Sequence, residues 1–188
     1  MKSSFMLIFL LLNLASKLIS ASELILLNTK NARTFASSVE EGSASYFATD
    51  EEVFYEQPTC FRSSPNSFDA DMLNWLVVDL GSVIHNLTEV YIASGQNQES
   101  DNVEVFVTTY LGTSAHISRS GNSLIWNSYQ ECGKTTSDEH SGSSATVRCT
   151  HPLDGRWLIL RRKAPKPLSV CLLAVYVTKS KLFIIIIY

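Results

Sequence analysis

The sequence has no apolar run long enough to cross a bilayer, no excess of basic charge, no Cys-x-x-Cys pair and hardly any helical periodicity. Each of these gaps removes a class of protein. The longest early apolar stretch, Phe5 to Ala15, is about a dozen residues, whereas a spanning helix needs roughly 20. With Lys2 before it, Lys17 after it and small residues at Ser20, Ala21 and Ser22, it reads as a secretory signal peptide over residues 1–21. Of the 15 Lys and Arg, Lys2 and Lys17 lie in that segment, leaving 13 against 18 Asp and Glu and a net charge of −5. That balance argues against a general nucleic-acid binder. Catalytic constellations do not stand out either: no nucleophile with a base, paired-carboxylate setting or metal triad is recognisable, and His85, His116, His140 and His151 are scattered over polar or turn-rich contexts.

What is present points to a secreted all-β domain. Cys60, Cys132, Cys149 and Cys171 all follow the signal segment, so an oxidising compartment makes disulfides the default, with three connectivities open. His151 stands alone near them, which disfavours zinc. Apolar or alternating runs recur at Glu23–Leu27, Ala44–Phe47, Trp75–Leu80, Leu87–Ala93, Val103–Thr109, Leu124–Trp126, Ala145–Cys149, Arg156–Arg161 and Leu168–Val177. Turn-rich segments such as 63–67 and 141–144 separate them. Many short strands with polar turns predict one antiparallel sandwich or jelly roll over 22–178, followed by an apolar tail at 179–188.

Finer expectations follow from the same runs. Asn74–Gly81 and Gly155–Leu160 each carry one tryptophan near the start, which predicts strands facing each other across the core. Trp75, Trp126 and Trp157 are expected in the core rather than as sugar platforms. Val103–Val107 alternates about Glu104 and reads as a strand with one wet face, while Leu172–Val177 reads as central.

The ordered set Asn31-Ala32-Arg33, Ser43-Ala44-Ser45, Phe47–Asp50, Thr59-Cys60, Asn74–Gly81, Val90–Ile92, Val103–Val107, Val147–Cys149, Gly155–Ile159 and Leu168–Cys171 resembles the fucolectins. These are eel-type fucose-binding lectins within the galactose-binding-like group that includes discoidin and coagulation-factor type C domains. The resemblance implies an eight-stranded antiparallel jelly-roll sandwich and disulfides Cys60–Cys171 and Cys132–Cys149. It also implies binding of fucose or a related glycan by loops at one end. In such lectins a histidine shortly after the first clasp cysteine and two arginines in a later loop hold the sugar. Here those positions fall at Arg62 and near Gly95 and Glu99. The loop 94–101 has no basic residue, so the candidate carbohydrate-binding set is Arg62, Gln96 and Glu99. The same resemblance implies calcium near the first clasp, with Asp50 and Glu51 as ligands, although Leu172 stands at the position of the family's glutamate.

Two further motifs remain. Asn86-Leu87-Thr88 is an acceptor sequon for N-glycosylation. Arg161, Arg162, Lys163 and Lys166 crowd a turn and suggest contact with sulfated glycans or anionic headgroups. Together the sequence predicts a secreted, non-catalytic carbohydrate-binding domain whose partners are glycans or glycoproteins, with an oligomer allowed. The rival expectation is a protein-interaction or structural module that keeps the fold without a sugar site.

Overall fold

A computed structural model describes residues 21–50, 60–64, 73–95, 101–111, 129–136, 144–163 and 165–181. Among them are nine strands and one 3-10 turn. The strands are β1 (Ala21–Leu27), β2 (Arg33–Ala36), β3 (Phe61–Arg62), β4 (Leu73–Ala93), β5 (Glu104–Thr108), β6 (Gln130–Lys134), β7 (Ser144–Lys163), β8 (Ser169–Val170) and β9 (Leu172–Lys181). Every pairing is antiparallel. No described helix is long and apolar enough to cross a membrane.

Two long, bent strands organise the fold. The first part of β4, Leu73–Asp79, pairs with Trp157–Lys163 of β7, and its last part, Glu89–Ala93, pairs with Ser144–Arg148. Register shifts between Asp79 and Glu89 mark the bend, where Gly81 and Asn86 take positive φ, a conformation glycine and asparagine adopt at least cost. One layer therefore runs β2–β4–β7–β5–β6, and the other runs β1–β9–β4–β7. Because successive side chains alternate, Leu76, Val78, Val105, Val107, Leu158 and Leu160 meet Val90, Ile92, Val147, Leu173 and Val175 between the layers. The result is an antiparallel β-sandwich. β9, flanked by β1 and β4, occupies the central position that its apolar run predicts.

Several sequence expectations are corrected. The tryptophan strands do not face each other; they are hydrogen-bonded neighbours in one layer, with Val77 opposite Ile159 and Asp79 opposite Trp157. Apolar strands match an edge-to-edge ladder as well as a face-to-face packing, and periodicity cannot tell the two apart. Trp75 is buried on the outer face of that layer with Val77, Phe106 and Ile159, while Trp157 is only partly buried and packs against that group. Nor does β5 keep a wet face. Phe106 is buried there beneath the Arg161 guanidinium, 4.3 Å from the ring centre, and edge-on to Tyr129.

The segment expected as a strand at Ala44–Phe47 is instead a 3-10 turn, Ser45–Ala48. The short strands β2 and β6 carry too little apolar signal to stand out. Leu124–Trp126 lies outside the described residues. β9 continues through Lys181, beyond the expected boundary at 178.

Candidate functional site

Both disulfides implied by the resemblance are formed, Cys60–Cys171 and Cys132–Cys149. The first one organises the end of the sandwich at which β4 begins and ends. There β3 pairs with β8, and the Cys171 amide donates to the Ala93 carbonyl at 2.7 Å. Serines knit the neighbouring turns to this clasp. The Ser43 hydroxyl donates to the Cys60 carbonyl at 2.9 Å and accepts from the Arg62 amide at 2.8 Å. Ser63 and Leu168 are joined by two bonds, Ser63 amide to Leu168 carbonyl at 2.9 Å and Leu168 amide to Ser63 Oγ at 2.8 Å. Short polar side chains can bond backbone groups that a two-residue strand leaves over, so the end is rigid without long ladders.

Arg62 stands on this platform. Its Nη1 donates to both carboxylate oxygens of Glu40, at 2.9 and 3.2 Å, and the Glu40 amide donates to the Arg62 carbonyl at 2.9 Å. Both side chains remain about one-third exposed, at 35% and 33%. The pair offers a guanidinium donor next to a carboxylate acceptor, a combination suited to adjacent sugar hydroxyls.

The resemblance puts one arginine position near Gly95, and the structure shows little room for a side chain there. A Cβ there would lie 3.1 Å from Cys60 Sγ and 3.3 Å from Cys171 Sγ, so the chain presses against the clasp where a side chain has little room. Gln96 and Glu99 lie outside the described residues, as does Glu51. Asp50 follows the 3-10 turn and is partly buried. Leu172, which the resemblance sets where a glutamate is expected, presents hydrocarbon to a groove with Leu26 and Tyr176. Among the described residues no group of three or more His, Cys, Asp or Glu is placed to hold a metal ion. Calcium takes six to eight oxygens, and of the expected carboxylates the described residues supply Asp50 alone.

The basic run divides by role. Arg161 is ion-paired to Glu104 and stacked on Phe106, and Arg162 is buried with Nη1 donating to the Pro167 carbonyl at 2.7 Å. These two arginines build the turn rather than present it, because each, on opposite faces of β7, is held by its own partners. Lys163 and Lys166 remain exposed. Sequence reasoning missed Glu40, whose position more than twenty residues before its partner carries no local signal.

At the opposite end, the β4 bend is held by a second set of polar contacts. Arg156 grips Asp79 through Nε and Nη2 at 2.7 and 2.8 Å, and its guanidinium lies over the Trp157 ring. These hydrogen bonds lower the Asp79 pKa below its ordinary 3.8; the Gly81 amide and the charges of Arg156 and Arg33 add to the effect, and burial opposes it. Asn86 is exposed on this bend, with its amide donating to Asp154 at 2.9 Å. Asp154 also meets His85 at 2.9 Å, and its pKa is likewise lowered, first by His85 and then by the Asn86 amide.

No protein-family model matches the sequence, and no curated protein aligns with it significantly. Solved structures do resemble the fold. A mutant of the lectin binding domain of lectinolysin, complexed with Lewis b, superposes with a TM-score of 0.57 at 18% identity, covering 81% of this chain and 96% of that one. A fucolectin from the serum of striped bass, Morone saxatilis, gives 0.58 at 20% identity over 84% of this chain. This chain spans about half of that one, 48%. A family 32 carbohydrate-binding module of NanJ from C. perfringens, in complex with galactose, gives 0.54 at 14% identity, covering 82% and 99%.

The chain thus has a β-sandwich fold similar to that of galactose-binding-like lectin and carbohydrate-binding modules. Fucolectin, fucose-binding and galactose-binding modules share that architecture with it. At these identities the likeness is one of fold.

Proposed function

We propose that the chain is a secreted, non-catalytic glycan-binding domain that recognises its ligand at the disulfide-clasped end. The observation that carries this reading is the Arg62–Glu40 pair, about one-third exposed and fixed by serine contacts beside Cys60. It places a donor and an acceptor on a rigid support in a fold whose solved relatives include complexes with Lewis b and galactose. Two disulfides fit an oxidising, extracellular setting. Gln96 and Glu99 extend the hydroxyl-binding set, and Asp50 with Glu51 provides carboxylates for calcium. Asn86, exposed at the far bend, is an acceptor that can carry a glycan without covering the binding end.

The test is a glycan array probed with folded, oxidised protein with and without calcium. Selective binding that Arg62→Ala reduces at least tenfold supports the reading. Binding untouched by that substitution relocates the site, and folded protein that binds no glycan refutes the function. The alternative, a protein-interaction module on a lectin scaffold, draws on the missing basic residues of loop 94–101, and a silent array is the result it expects.

A further inference from the structure

Beside the clasped end, on the outer margin of the β2–β4–β7–β5–β6 layer, lies a cleft of about 590 Å³. Its wall includes Asn102, the Glu104–Arg161 pair and three lysines from separate places in the chain. Lys134 ends β6, Lys163 ends β7, and Lys166 lies in the turn to β8. Register explains the convergence. Glu104 pairs with both Lys134 and Arg161, and Lys163 stands two residues beyond Arg161 on the same face.

The charges in this cleft are not equivalent. Arg161 is matched by Glu104, and Arg162 is directed to the Pro167 carbonyl. The ammonium groups of Lys134, Lys163 and Lys166 are exposed and have no ion-pair partner among the described residues. The turn that carries Lys166 is also anchored from below: the buried Asn74 amide donates to the Lys166 carbonyl at 2.9 Å. Three cations with no ion-pair partner among the described residues therefore converge at one cleft of a protein whose formal net charge is −3. Such a concentration attracts anions locally while the rest of the surface repels them.

We propose that this cleft binds the sulfate groups of an acidic glycan, which makes sulfated oligosaccharides the ligand class of the glycan-binding function. The inference rests on that glycan-binding reading. Lysine ammoniums suit sulfate as point-charge donors, and the Asn102 amide adds a neutral hydrogen-bonding group at the wall. A membrane headgroup is the poorer fit. Docking on lipid also uses large apolar side chains at the rim; among the described residues the exposed ones, such as Leu24, Leu26, Tyr46 and Tyr110, do not line this cleft, whose apolar wall is Leu73 and Pro165.

The experiment titrates the oxidised protein with a heparin-derived octasaccharide, its fully desulfated counterpart, neutral fucosylated and galactosylated oligosaccharides, and phosphatidylserine vesicles. The proposal expects the sulfated octasaccharide to bind at least tenfold more tightly than the desulfated one, with affinity falling steeply as salt rises. Combined Lys134→Gln, Lys163→Gln and Lys166→Gln should lower that affinity at least tenfold. Changing Lys30, Arg33 and Lys179 to Gln removes the same net charge elsewhere and should alter it less than twofold. All six side chains are exposed, so an unchanged melting temperature is expected for both triple variants. If the cleft triple nonetheless melts early, Lys166→Gln alone should weaken binding two- to threefold. Equal losses in the two triple variants, or none in the cleft variant, overturn the proposal. So does binding to vesicles without binding to the sulfated sugar. Neutral sugars bound with no preference for sulfate overturn this inference and leave glycan binding standing, whereas failure of every sugar overturns both.

Discussion

Removing the clasp should cost the domain more than removing the staple, and the difference can be worked from the chain. Cys60 and Cys171 are 111 residues apart, and Cys132 and Cys149 are 17 apart. In the chain-entropy account, a cross-link lowers the entropy of the unfolded chain by an amount that grows with the logarithm of the loop. At 25 °C the longer loop corresponds to about 4.8 kcal/mol and the shorter to about 3.1 kcal/mol. The staple lies inside the clasp's loop and shortens it when intact, which lowers the first figure to about 4.7 kcal/mol.

Paired Cys60→Ala/Cys171→Ala and Cys132→Ala/Cys149→Ala variants, unfolded in urea and followed by tryptophan fluorescence, measure both. With a slope of about 2 kcal/mol per molar, the midpoints should fall by about 2.3 and about 1.5 M. Native packing reinforces the order. Gly95 lies against both clasp sulfurs, and Cys171 bonds Ala93, so losing the clasp also loosens the end that carries Arg62. A clasp variant that loses no more stability than the staple variant would refute the reasoning.

Gly155→Ala should destabilise strongly, toward the top of the roughly 1–3 kcal/mol range for overpacking. Its Cβ would stand 2.3 Å from Val107 Cγ1 and 2.9 Å from the Thr108 carbonyl, so backbone as well as side chain must move; a melting temperature within a degree of the parent would contradict this. Acid should weaken the β4 bend through Asp79. Because its folded pKa is depressed by Arg156, its contribution is full above the ordinary value of 3.8 and is lost as pH falls through the lower folded value. Melting temperature followed from pH 5 downward should therefore decline less in Asp79→Asn than in the parent, and parallel declines would count against that role. Protein secreted from a eukaryotic host should lose mass on treatment with an N-glycan-releasing enzyme, and Asn86→Gln should abolish the shift; an unshifted parent would exclude the modification.

How much was legible beforehand depended on the range of the interaction. Strand-forming runs such as Leu172–Val177 announce themselves through local composition, and the all-β architecture follows from their number and their polar turns. β2 and β6 escaped because four or five residues with mixed polarity are held by neighbours rather than by their own pattern. The ligand end was only partly readable. Arg62 could be singled out from its place after Cys60, but its partner Glu40, the pressure of Gly95 on the sulfurs and the meeting of Lys134 with Lys163 and Lys166 depend on chain segments brought together by folding.

By itself, then, the sequence determined the strand chemistry, the sign of the net charge and the supply of cysteines, because each is a property of residue type and short-range spacing. The tertiary structure alone decided which strands became neighbours and which cations were left over. Val77 could have met Ile159 across the core as readily as beside it, and register placed them in one layer. Likewise Arg161, Arg162 and Lys163 are chemically one basic run, and the fold separated them. Alternation along β7 buried Arg162 on one face and put Arg161 and Lys163 on the other, where Glu104 and Phe106 engage Arg161 while Lys163, at the strand's end, is left exposed at the cleft.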